Sequence, residues 1–157
     1  MIVSRKFISA VLIASLVFGA VACDNLERMT ENTGTQVVDL LDNDSLMERY
    51  MEAVQDYDRV EYEQVYIDFG ERSIGPTEYR FRGIVYLTED EAERLWDAYE
   101  WEEKDDVEFE FVKLDISDIG EGPWYSCNQF NSDNYSTIVP YYTVFDGEKL
   151  VFDIHQI

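Results

Sequence analysis

Bases, histidine and cysteine are all scarce in this 157-residue chain. Lys and Arg total 12 against 34 Asp and Glu, for a formal charge of −22. A nucleic-acid backbone must be met by clustered cations, so this balance argues against a nucleic-acid partner. Two cysteines cannot build a disulfide framework or a four-thiolate zinc site, and a single histidine removes most histidine-based metal sites. No cofactor is expected. No Gly-x-Ser-x-Gly elbow supplies a serine nucleophile. What is present is 46% hydrophobic and 15% aromatic residues. At this length that suffices for one ordinary core and does not suit a disordered acidic tail.

The chain opens Met1-Ile2-Val3-Ser4-Arg5-Lys6, and Phe7 to Ala22 follows without a charged residue. A charged lead, an apolar run and small residues before a cleavage point are the three parts of a secretory signal peptide. The run of 16 residues is short of the roughly 20 needed to span the hydrocarbon core, so a permanent transmembrane anchor is the weaker reading. The junction Ala20-Val21-Ala22-Cys23 resembles the lipobox of bacterial lipoproteins, whose cysteine thiol receives a diacylglyceryl group and becomes the mature N-terminus. Cys23 and Ala22 match the pattern; Ala20 departs from it, since Leu is commoner there. The resemblance covers only the first 23 residues. It implies a signal peptide over 1–22, lipidation at Cys23 and attachment to the extracytoplasmic face of a cell membrane. Two acyl chains make such attachment stable. The same residues also read as Ala-x-Ala, which ordinary signal peptidase would cut to release a secreted protein with a free Cys23 thiol.

Loss of residues 1–22 removes Arg5 and Lys6 and no acid, which takes the charge from −22 to −24. Such a surface is repelled by anionic lipid, so the lipid anchor supplies the attachment, and protein partners are expected to be neutral or basic.

Residues 23–43 read as the lipidated cysteine, an acidic tether to about Thr35, and a short apolar patch at Val37, Val38, Leu40 and Leu41 of one or two helical turns. A single domain over 44–157 follows. Ser45 with Glu48 forms a capping-box pattern, and Leu46, Met47, Tyr50, Met51, Val54 and Tyr57 recur at helical spacing. Val65, Ile67 and Phe69 then alternate as a strand, as do Tyr79, Phe81, Val85 and Leu87, and the two pair as a hairpin. Gly83 on the apolar face marks a bulge or a close backbone approach. Thr88 and Glu91 cap a second helix to about Trp101, with Ala92, Leu95, Trp96 and Tyr99 on one face.

Val107, Phe109 and Phe111 alternate with Glu108 and Glu110 as a strand with one wet face. Two last strands flank Asp146-Gly147, a type I′ hairpin signal, and Pro140 pushes the first of them to an edge or a bulge. The expected fold is α+β: an antiparallel sheet of five or six strands with two main helices on one face. The expected core includes Tyr50, Val54, Val65, Ile67, Phe81, Val85, Leu95, Trp96, Phe109, Phe111, Val144 and Leu150.

The most irregular stretch lies between Asp115 and Ser136. Trp124 and Tyr125 behind a Gly-Pro turn would present flat faces, and Asn128 and Asn131 would add side-chain amides. That set suits an uncharged polar ligand such as a glycan or peptide. The competing reading folds Trp124 back over the sheet. Asp115, Ser117, Asp118 and Glu121 offer hard oxygens but miss the calcium-loop spacing, so no metal is assigned. Arg80 and Arg82 share a strand face and would pair with acids such as Asp68 or Glu63. Cys127 and His155 are the remaining nucleophile and base, with no spacing to join them, and no catalytic residue is assigned. A non-catalytic binding or interaction module therefore ranks first, with a small secreted or envelope-associated hydrolase as the alternative.

Overall fold

The computed structural model describes residues 34–70 and 78–156. The strands are β1 (Thr35–Leu41), β2 (Tyr57–Asp68), β3 (Tyr79–Leu87), β4 (Glu102–Lys104), β5 (Trp124–Ser126), β6 (Val139–Phe145) and β7 (Lys149–Gln156). The helices are α1 (Ser45–Tyr50), α2 (Glu89–Ala98) and α3 (Asn128–Asn134). All strands join one antiparallel sheet in the order β1-β2-β3-β7-β6-β5-β4. The α+β class stands, with seven strands in place of five or six and three helices in place of two. Cys23, the Ala20–Cys23 junction and the tether up to residue 33 lie outside the described residues. Among the described residues no helix is long and apolar enough to cross a membrane.

Strand alternation divides the apolar residues between two faces. On one face Val60, Tyr62, Phe81, Val85, Phe145, Leu150, Phe152 and Ile154 meet Leu46, Met47 and Tyr50 of α1, Ala92 and Leu95 of α2, and Phe130 of α3. All three helices thus cover the same face. On the other face Ile84, Val144, Val151 and Trp124 are covered by Leu114 and Ile119, with half-buried Val107, Phe109 and Phe111 beside them. These five residues belong to the segment 105–123, a strap without regular structure that crosses the sheet.

Glu63 holds that strap in place. Its side chain is fully buried on the second face. Its Oε1 accepts from the backbone N–H groups of Val112 at 2.7 Å, Lys113, and Leu114 at 2.8 Å. Its Oε2 accepts from Arg82 Nε at 2.7 Å, across the β2–β3 register that sets the two residues opposite. Burial works to raise the carboxyl pKa, but the bonds from Lys113, Leu114, Arg82 and Val112 outweigh it and hold the group below its ordinary value. Of the two acids expected to face the β3 arginines, Glu63 is thus taken by Arg82. Arg80 pairs with Asp153 of β7 (Nε to Oδ1, 2.8 Å), not with Asp68, because β7 flanks β3 on the side away from β2.

Several local expectations yield to tertiary contacts. Val37 to Leu41 is strand β1, paired with β2, and not helical turns, so the sheet begins at Thr35. The first helix stops at Tyr50, and Tyr57 opens β2. The reason is capture of the next amides by side chains: Ala53 N–H donates to Asn134 Oδ1 at 2.9 Å and Gln55 N–H to Glu91 Oε1 at 2.7 Å. Glu91 serves this connection and Arg94, so it does not close a capping box; Thr88 Oγ1 still accepts from Glu91 N–H at 3.4 Å. The second helix ends at Ala98 and not near Trp101, whose Nε1–H instead satisfies the Leu95 carbonyl at 2.9 Å.

Val107–Phe111 forms no strand. Asp106 has φ +55°, a left-handed turn that breaks the extended run leaving β4. Phe109 and Phe111 are half-buried in consequence. Two more expected core residues lie at the surface, Ile67 at 39% and Trp96 at 44% exposure. Ile67 sits near the β1 end of the sheet beyond the core, and Trp96 packs only one side, against Tyr125 and Phe145. The other eight expected core residues are buried.

The β6–β7 turn is centred on Gly147-Glu148, since Asp146 N–H bonds Lys149 O across it. Gly147 has φ +98° and Glu148 does not share the positive φ, the pattern of a type II′ turn in place of I′. Asp146 closes the turn through Oδ1, which accepts from Glu148 and Lys149 N–H. Pro140 does produce a bulge, between Pro140 and Tyr142. Gly83 is a close approach: a Cβ there would lie 2.4 Å from both Glu61 O and Tyr62 Cβ.

Gly83→Ala is accordingly expected to destabilise by about 1–3 kcal/mol, read as a lower urea midpoint at unchanged slope. A wild-type midpoint would mean that β2 and β3 do not pair in this register. Glu63→Gln is expected to cost about 3–5 kcal/mol, because Arg82 is left buried without its counter-charge. Replacing Arg82 by Met in the same chain should restore much of that loss, since the glutamine keeps one amide oxygen for the strap amides and the unpaired guanidinium is gone. Because the folded Glu63 and Glu91 pKa values are lowered, their contribution is complete above the ordinary value of 4.5 and fades as pH falls through the folded values. Urea midpoints measured downward from pH 6 should show that loss, and Glu63→Gln should flatten it.

Candidate functional site

Trp124 and Tyr125 are neighbours on β5, so their side chains leave the sheet on opposite faces. Trp124 is 5% exposed, edge-on to Phe109 with ring centroids 5.1 Å apart, in the core beneath the strap. Gly122 makes room for it, since a Cβ there would lie 2.7 Å from Trp124 Cδ1. Tyr125 is half-buried on the helical face, edge-on to Trp96 at 5.0 Å. The two rings form no common platform. Trp124 folds back over the sheet, as the competing reading has it.

The amide half of the expected site does line a cavity. Asn128 and Asn131 on α3, with Ser126 and Ser132, form one wall of a cleft of about 740 Å³. Lys104 to Glu108, at the start of the strap, form another. Pro140 to Val144 of β6 complete the lining, with Tyr135 beneath. The Tyr135 hydroxyl and Thr143 Oγ1 are 2.9 Å apart in the interior, and burial pushes the Tyr135 phenol pKa up.

Two residues lining this cleft carry buried polar atoms with no hydrogen-bond partner: Asn131 Oδ1 and the Tyr142 hydroxyl. Buried polar atoms in native proteins are nearly always paired, so two such atoms in one cleft mark a place for ligand or solvent. Tyr142 stands at the end of a polar row across four strands, Glu63–Arg82–Asp153–Tyr142, set by direct register. Burial, with the negative charge of Asp153, pushes its phenol pKa up. It therefore stays neutral and can both donate and accept. The cleft has three carboxylates, Asp105, Asp106 and Glu108, against one cation, Lys104.

Sequence reasoning missed Tyr135, Tyr141 and Tyr142. Pro140 was the available signal: a bulge there breaks the alternation and turns Tyr141 toward His155, whose ring it stacks on at 5.8 Å.

The remaining candidates are not brought together. Cys127 is buried in the helical-face core, while His155 shares the opposite face with Val151 and Asp153. The sheet separates thiol from imidazole. Asp115 is exposed and spends Oδ1 on the Ser117 N–H at 3.0 Å, which lowers its pKa. Among the described residues no group of three or more His, Cys, Asp or Glu side chains is placed to hold a metal ion. The cleft offers hydrogen-bonding groups and negative charge to a ligand.

Cys127 is expected to react with an aromatic disulfide reagent only as fast as the domain opens. Its modification rate should rise with urea in step with unfolding. Full labelling of the native protein within mixing time would place the thiol outside the core.

Comparison with family models, with curated proteins and with solved structures finds no match for this chain.

Proposed function

We propose that this chain is a lipid-anchored extracytoplasmic binding module, without catalytic activity, that takes a neutral or basic polar ligand in the α3–β6 cleft. The observation that carries the binding half is the pair of unpartnered buried atoms, Asn131 Oδ1 and the Tyr142 hydroxyl, on residues lining one cavity. A ligand bearing donors would satisfy both at little entropic cost, because α3 and β6 already hold them. The anchoring half rests on the charged lead, the apolar run and the Ala20-Val21-Ala22-Cys23 junction. The net charge of −24 that loss of residues 1–22 leaves keeps such a domain off an anionic bilayer while the lipid tethers it. Membrane, through the lipid, and a glycan, cell-wall fragment or peptide are the proposed partners.

Thermal-shift screening of the full chain in detergent with glycans, cell-wall fragments, peptides and divalent metals tests the binding half. A ligand at 100 times its dissociation constant adds about 2.7 kcal/mol. Tyr142→Phe is expected to leave the free protein as stable as wild type or slightly more so, since it deletes a buried unpaired hydroxyl. The same change, like Asn131→Ala, should abolish the ligand's shift. A hit whose shift survives both changes would place binding elsewhere. For the anchor, the intact mass of membrane-extracted protein should correspond to a diacylglyceryl chain starting at Cys23. An unmodified chain in the medium would overturn it.

A further inference from the structure

We infer that this chain has a second binding surface, the outer edge of β1, and that this edge takes an extended peptide of alternating basic and apolar residues as a further strand of the sheet.

The phase of the ladder decides which backbone groups that edge offers, since antiparallel pairs alternate between exchanging hydrogen bonds and facing away. The bonds from Asp146 N–H to Lys149 O and from Leu87 N–H to Glu148 O, both 3.2 Å, set the phase of β7 and β3. The registers run unbroken from there through β3–β2, from Arg59 onward, to β2–β1. Arg82 therefore bonds Glu63, and Tyr62 and Tyr66 turn the other way, to Leu41 and Val37. Gln36, Val38 and Leu40 are left with their N–H and C=O groups pointing outward. An independent contact agrees: the Val38 carbonyl accepts from Lys113 Nζ, which reaches it from the strap. Among the described residues these groups have no other partner. Gln36, Asp39 and Leu40 are exposed.

Edge strands are ordinarily guarded by shortness, charge, proline or a bulge. At the opposite edge β4 is three residues long, Glu102, Glu103 and Lys104, all charged and exposed. β1 runs seven residues in unbroken register, without proline, and Asp39 is its one charge. Exposed apolar side chains gather beside it on the strap face: Leu40, Ile67 opposite Gln36, and Val112 above Glu63. On the helical face Asp39 and Asp68 are exposed and form no salt bridge among the described residues. The two faces thus ask for different side chains, apolar toward Leu40 and Ile67, basic toward Asp39 and Asp68. An alternating strand presents both at once. A second copy fits less well, because full antiparallel overlap about Val38 puts both Asp39 carboxylates on one face with no cation between them.

Directly opposite residues share a face, so in an antiparallel added strand the apolar residues are the ones whose N–H groups meet β1. Residue-resolved hydrogen exchange and calorimetric titration of the full chain in detergent test this. The probes are a blocked heptapeptide alternating Lys and Val, the same peptide N-methylated at every Val or at every Lys, and one with Glu in place of Lys. The Gln36, Val38 and Leu40 amides should exchange fast in the free protein and slowly with the parent peptide. N-methylation at Val should weaken binding about tenfold or more, and N-methylation at Lys should leave it unchanged. Val38→Pro should fold, since the N–H it removes faces away from β2, and should lose the parent peptide. Asp39→Asn should weaken the Lys peptide, and the Glu peptide should not bind. Equal binding by the two N-methylated peptides would overturn the inference, as would protection of 140–144 in place of 36–40. Slow exchange of the three amides before peptide is added, or a dimer in sedimentation of the free protein that Val38→Pro dissolves, would show the edge already taken and overturn it as well.

Discussion

Glu63 reaches from β2 to three successive amides of the segment 112–114 and to the Arg82 guanidinium, and it does so with no solvent exposure. A buried carboxylate is costly unless every lone pair is used, and here the strap and the ion pair use them. The strap has no strand or helix of its own to satisfy those amides, so the two halves of the contact depend on each other. Once the strap is fixed, Leu114 and Ile119 cover Ile84, Val144 and Val151, and Phe109 seats Trp124 and Tyr142. The same segment's first residues, 104–108, then form a wall of the cleft. One carboxylate on β2 thereby shapes a site lined by α3 and β6.

The scarcity of bases gives each arginine placement unusual weight. Arg82 serves Glu63, Arg80 serves Asp153, and Arg94 serves Glu91. Among the described residues these three acids are the buried ones, with exposures of 0–4%. Three arginines thus stand where an acid has been taken out of water, while Arg59 and Lys149 pair with the more exposed Glu61 and Asp146. Around the cleft this leaves an acidic rim with Lys104 as its one cation. The rim would steer neutral or basic ligands inward and hold anionic ones off, an effect that salt weakens.

The second helix was legible in the sequence because its signals are local: Thr88 caps it, acids fill its first turn, and Leu95 falls on the buried stripe. The β2–β3 hairpin and the close approach at Gly83 were legible for the same reason. The first helix was overrun because Asn134 and Glu91, distant in sequence, claim the amides that would have continued it. Val107 to Phe111 alternate in the manner of a strand, yet alternation says only that one side is apolar. Asp106 turns the chain off the sheet plane, and the apolar side packs down as part of a strap. Of the expected site, Asn128 and Asn131 reach the cleft, while Trp124 and Tyr125 separate, because adjacent strand residues must point opposite ways.

By itself the sequence determined the α+β class, the acidic charge, a pairing of the β3 arginines with acids, and an irregularity at Pro140. Each follows from composition or from contacts a few residues or one hairpin apart. Only the tertiary structure decided that β1 closes the sheet, that Glu63 binds the strap, and that β5 stops one residue pair into β6. These depend on backbone groups finding, or failing to find, partners about 20 to 50 residues away, and an amide looks the same in every sequence. The cleft belongs to that second class, since what makes it is an interrupted ladder and two polar atoms left without partners.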